Sequence, residues 1–164
     1  MFYILLGVVV LGPPIHALMN KKRLSGERVL ELYLIYLFVV AIGVQDLVTF
    51  IGHAFLPALM PAGPDSPAGS AFFFRAEAAS ADLAFGVLGI LCLWLKWNFW
   101  LATGIGYAVF SAGSAYGHLK RIILSGGLLA PGALPVLLGN VLYPIAVLTL
   151  LFIHIQKKLA QEGA

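Results

Sequence analysis

Five ionisable side chains stand in otherwise apolar surroundings: the carboxylates Asp46, Glu77 and Asp82, and the imidazoles His53 and His118. A bilayer interior penalises such groups, so each needs a proton, a counter-charge or a ligand. Steps of three and four residues gather them into helical stripes: Gly43, Asp46, Phe50 and His53 on one, and Ala78, Asp82, Gly86 and Gly89 on a second. Gly104, Tyr107, Ser111, Ser114 and His118 form a third; Asn140, Tyr143, Val147 and His154 form a fourth. Asp46, Asp82, Tyr107, Ser111, Asn140 and Tyr143 are therefore the expected ligand-binding set. His53, Glu77 and His118 are the expected metal ligands.

The elements that must position these residues follow from composition. The chain has 164 residues, 61% hydrophobic and 10% charged, against roughly 25% charged in a soluble domain. The expected fold class is all-α, a polytopic membrane bundle forming one domain over 1–164. About 20 apolar residues span a hydrocarbon core, which places five spans near 1–18, 32–56, 72–95, 99–117 and 136–155. Pro13 and Pro14 should kink or break the first, because each ring removes an amide donor. No basic residue precedes that run and no small-x-small site follows it, so it is expected to be retained as a span. Pro57, Pro61, Pro64 and Pro67 predict a rigid external lid between the second and third spans. The segment 119–135, with its apolar stretch and breakers, is expected to lie along the interface.

Lys21, Lys22, Arg23, Arg28, Lys96, Lys157 and Lys158 fall on one side of this arrangement, and Arg75, Lys120 and Arg121 on the other. The positive-inside rule then puts the amino terminus outside, with Trp94, Trp97 and Trp100 in a cytoplasmic aromatic belt. The net charge of +3 is confined to segment ends and gives no nucleic-acid signal. A single cysteine, Cys92, excludes an internal disulfide.

Depth sharpens the picture. Asp46 and Asp82 both fall about 15 Å from the outer ends of their spans; Glu77, His53, Ser114, His118, Asn140 and Tyr143 lie in the outer half, and His154 lies near the cytoplasmic end. A pocket open outward and closed toward the cytoplasm follows. Two acids at one depth cannot both stay ionised cheaply, so at least one holds a proton or the pair holds a cation.

Several occupants suit such a pocket. His53, Glu77 and His118 would suit zinc, iron or another first-row metal. His53 with His118, and His16 with His154, could be axial pairs for haem b in a membrane redox protein. The aromatic rim of Phe72 to Phe74 and Tyr143 would suit a small amphipathic ligand such as a quinone or lipid fragment. The glycine pairs Gly86/Gly89 and Gly113/Gly117 could instead dock an accessory subunit onto a larger membrane complex. The plainest reading has Asp46 and Asp82 protonated and bonded to Ser111, Tyr107 or Tyr143, as glue between helices. No nucleophile elbow, phosphate-binding glycine loop or zinc-protease motif is present, so catalytic turnover is not expected.

The stretch FFFRAEAASADLAFGVLGILCLW, continuing into NFWLATGIGYAVFSAGSAYGH, covers Phe72 to His118. It resembles the central part of an uncharacterised group of small bacterial integral membrane proteins carried as a domain of unknown function, with a broader DoxX-like similarity in size and span number. The resemblance implies a bacterial membrane location and no particular activity.

Overall fold

The computed structural model describes residues 2–19, 25–56, 68–125 and 133–162. Among these the regular structure is helical: α1 (Phe2–Met19), α2 (Gly26–Tyr36), a π-helical stretch (Leu37–Val44), α3 (Gln45–Phe55), α4 (Ala68–Leu91), α5 (Asn98–Ser125) and α6 (Ala133–Glu162). α2, the π stretch and α3 join end to end as one rod, Gly26–Phe55. Three segments are long and apolar enough to cross a membrane: Phe2–Met19, Gly26–Phe55 and Leu134–Gln161. α4 and α5 are more polar because they carry Arg75, Glu77 and Asp82, and Ser111, Ser114, His118 and Lys120.

Local rules explain the helix ends. Ser25 caps α2 by accepting from the Arg28 amide at 3.4 Å, and Glu27 in the first turn complements the helix dipole. The tight passage from α4 to α5 is closed by the Trp100 indole, which donates to the Cys92 carbonyl at 2.9 Å.

α1 runs through Pro13 and Pro14 without a break, which leaves the kink of the two expected alternatives. Pro14 deprives the Val10 carbonyl of its usual donor, and the Tyr33 hydroxyl on α2 approaches that oxygen at 3.5 Å. Residues 119–125, the first part of the segment expected to lie along the interface, belong to α5, which continues through Lys120 to Ser125; residues 126–132 lie outside the described residues. The proline-rich lid lies outside the described residues.

Lipid-like solvent gives little hydrophobic drive between helices, so close packing must hold the bundle. The rod packs most extensively on α4, and α5 on α6, while α1 lies against α2, the π stretch and α6. The tightest crossing is built from glycine. A β-carbon at Gly89 would stand 2.5 Å from both the Gly43 nitrogen and the Phe38 carbonyl oxygen, and one at Gly86 would stand 2.8 Å from the Leu47 side chain. The core beside this crossing contains Leu34, Phe38, Ala41, Ile42, Trp100, Tyr107, Tyr143 and Val147. Large apolar side chains point outward elsewhere, among them Ile4, Leu11, Val109 and Phe152.

Candidate functional site

The glycine crossing brings α4 so close to the rod that polar side chains on both are driven together. Asp46 and His53 lie two helical turns apart on α3, and Asp82 sits one turn before Gly86 on α4. Nδ1 of His53 donates to Oδ2 of Asp82 at 2.7 Å, a short bond between a half-buried imidazole and a buried carboxyl group. Asp46 is 5% exposed and lies within electrostatic range of Asp82.

α5 and α6 supply the facing wall. Tyr107 on α5 interacts electrostatically with Asp46, Asp82 and Tyr143, and the Ser111 hydroxyl lies close to its phenol. Tyr107, Ser111 and Tyr143 are all buried. Phe85 packs edge-on against Tyr107 and stacks on Phe110, and Phe2 packs on Tyr143, so the polar groups have an apolar collar. Three oxygens inside it lack a hydrogen-bond partner of good geometry: Asp46 Oδ2, Ser111 Oγ and Tyr143 Oη. Buried polar atoms are rarely left this way, so such a group needs a physical reason.

Five of the six residues expected to bind a ligand thus gather: Asp46, Asp82, Tyr107, Ser111 and Tyr143. Asn140 does not join them, because its amide donates to the Val136 carbonyl of its own helix at 3.1 Å. His53, expected as a metal ligand, has its Nδ1 engaged by Asp82. Glu77 is exposed, and among the described residues no three His, Cys, Asp or Glu side chains are grouped to hold a metal ion. The set of His53, Glu77 and His118 therefore does not assemble. Nor does the inner histidine pair take shape as a matched couple: His16 contacts the Tyr36 hydroxyl at 3.4 Å, whereas His154 stacks on Trp97.

The family profile described as "Family of unknown function (DUF6790)" matches residues 1–160. The chain belongs to this family. The match extends well beyond the stretch 72–118 on which the sequence resemblance rested, and so includes every helix of the candidate site. No curated protein and no solved structure matches the chain.

In this DUF6790 member, Gln45 and Thr103 are polar groups inside the bundle that helical stripes alone did not single out. Thr103 is buried, as is the stripe residue His154, and Gln45 Oε1 lacks a hydrogen-bond partner.

Proposed function

We propose that the protein binds a proton or a small hard cation at Asp46, beside the Asp82–His53 pair, reached from the outer side of a bacterial cytoplasmic membrane. In this reading the chain crosses the membrane five times with its amino terminus outside. α4 has 24 residues and α5 has 28, each beyond the roughly 20 needed to span. Lys158 lies over Trp97, Lys96 over Trp100, and Lys157 Nζ is 4.0 Å from the place of a Gly26 β-carbon. That cluster of cations and indoles at one end supports its assignment to the cytoplasmic face.

The single observation that carries the proposal is Asp46: buried, beside a second acid, with one carboxyl oxygen unpartnered. His53 supplies Asp82 with a partner, whereas among the described residues no basic side chain lies within ion-pair distance of Asp46. A carboxylate so placed needs a proton or cation to offset its lost hydration. A proton would reside on Asp46 and exchange with the Asp82–His53 pair. A hard cation would instead take oxygen ligands from Asp46, Ser111 and Tyr143. Simple interhelical glue accounts poorly for the same residues, because glue is expected to satisfy its own hydrogen bonds.

Infrared difference spectroscopy on purified protein reads carboxyl groups directly. A pH step or added sodium ion is expected to perturb a carboxyl band in the wild type, and Asp46→Asn is expected to remove that response while circular dichroism shows the helices intact. A response that survives in Asp46→Asn would falsify the assignment.

The collar of Phe2, Phe85 and Phe110 favours a second reading, in which a small amphipathic molecule uses the same polar groups. A quinone that suppresses the infrared response to sodium would select it.

A further inference from the structure

At the end of the bundle away from the acids, the α4–α5 turn and the last turns of α6 enclose a cleft of about 240 Å³. Its lining includes Trp97, Asn98, Trp100 and His154, with Leu101 and Ile155 among the apolar side chains. We infer that this cleft binds the hydroxyl-bearing glycerol end of an uncharged acylglycerol lipid.

One side chain in the cleft lacks a complement. His154 is only 4% exposed, lines the cleft, and has no hydrogen-bond partner at either Nδ1 or Nε2. Buried polar atoms are rarely left so. The ring is held by stacking on Trp97, with centroids 5.0 Å apart and an interplanar angle of 25°. Trp97 itself adopts φ of 61°, a backbone conformation that residues other than glycine rarely take and that the surrounding structure has to hold in place. The second indole beside the imidazole, Trp100, has already committed its N–H to the Cys92 carbonyl. A partner for the two nitrogens therefore has to come from the cleft. Asn98, the first residue of α5, adds an exposed side-chain amide to the same lining.

The hydrogen-bond inventory selects the ligand. A neutral imidazole carries one donor and one acceptor, so a group that serves both nitrogens has to accept at one and donate at the other. A hydroxyl does both, whereas a phosphate diester or carboxylate only accepts and an alkylammonium only donates. The ester carbonyl beside a glycerol hydroxyl can in turn accept from the Asn98 amide. Recognition of this kind uses no net charge and is indifferent to how the neighbouring Lys158 is paired. The volume is below the roughly 300–1,000 Å³ of pockets that engulf a drug-sized molecule, so it suits a polar end whose chains lie elsewhere. Leu101 continues along α5 as exposed Ile105 and Val109, and Ile155 continues along α6 as exposed Phe152 and Leu148. These two apolar stripes start at the cleft and run toward the opposite end, giving acyl chains a surface to follow.

All three tryptophans of the chain, Trp94, Trp97 and Trp100, lie in or beside the α4–α5 turn, so intrinsic fluorescence reports on the cleft. The full-length protein in phosphatidylcholine nanodiscs, whose lipid has no hydroxyl, is titrated with monooleoylglycerol, with methyl oleate and with free glycerol. A saturable change is expected with monooleoylglycerol at a midpoint at least about fivefold below that of methyl oleate, the worth of one hydrogen bond, and no change with free glycerol. His154→Phe keeps a ring against Trp97 while removing both nitrogens, and is expected to bring the two lipid midpoints together. Asn98 is exposed, so Asn98→Ala keeps the test valid even where the histidine variant does not fold; it is expected to raise the monooleoylglycerol midpoint about threefold, again through one hydrogen bond. Equal midpoints for the two lipids in the wild type, a gap that survives in His154→Phe, an unchanged midpoint in Asn98→Ala, saturation by free glycerol, or no response to any of the three would each overturn the inference.

Discussion

At the acid end of the bundle, His53 and Asp82 meet at 2.7 Å between two elements that touch through glycine; at the tryptophan end, lysines rest on indole rings and His154 bonds to nothing through either nitrogen. The first region achieves polarity at depth by bringing backbones together, so that a donor and an acceptor on different elements neutralise each other. In the second, the exposed Lys158 can extend its amine toward water while its stem covers apolar surface. The same residue type, histidine, is a partner in one place and an open donor or acceptor in the other. What differs is whether a neighbouring element approaches closely enough to supply its complement.

That contrast can be broken most severely at Gly89. Any β-carbon there meets backbone atoms of Gly43 and Phe38 that have no rotamer to yield, so Gly89→Ala should force α4 from the rod and cost about 3 kcal/mol. Thermal unfolding followed by circular dichroism measures this, and an unshifted midpoint would mean the crossing is looser than it stands here. A smaller effect is expected from His53→Ala, which leaves Asp82 buried without its donor, at a cost of about 2 kcal/mol. A double-mutant cycle with Asp82→Asn should recover about 1 kcal/mol of coupling; strict additivity would show that the pair adds nothing beyond its separate members. The smallest change belongs to Tyr143→Phe. It deletes a hydroxyl that has no hydrogen-bond partner, so stability should move by less than about 0.5 kcal/mol even as the infrared response to sodium falls. A large loss of stability there would instead make that hydroxyl part of the glue.

Much of this architecture was legible from the chain. Apolar runs overlap every long helix, but three of those helices extend six to eight residues beyond the expected bounds at one end, at residues 26, 125 and 162, because polar residues continue a helix that a hydropathy ruler stops at. The spacing of Asp46, Asp82, Tyr107, Ser111 and Tyr143 also anticipated which side chains turn inward, since small residues beside an acid mark a packed face. Pairing was another matter. That His53 would bond to Asp82 depends on the depth at which Gly89 crosses Gly43, a tertiary quantity that no single-helix pattern contains. The same limit hid the Trp97–His154 contact, which joins a turn to a helix more than 50 residues later in the chain. Asn140 shows the converse, a residue on the right stripe whose own helix carbonyl was the nearer acceptor.

The wide-turned stretch Leu37–Val44 has an evolutionary corollary. The wider winding of such a bulge absorbs one extra residue within an α-helix, so the two halves of the rod keep their phases across it. Deleting one residue there would restore ordinary winding and leave Asp46 and His53 facing α4, whereas the same deletion in the regular turns of α2 would rotate everything beyond it by about 100°. The stretch is thus a place where the chain can gain or lose a residue without moving the acid site.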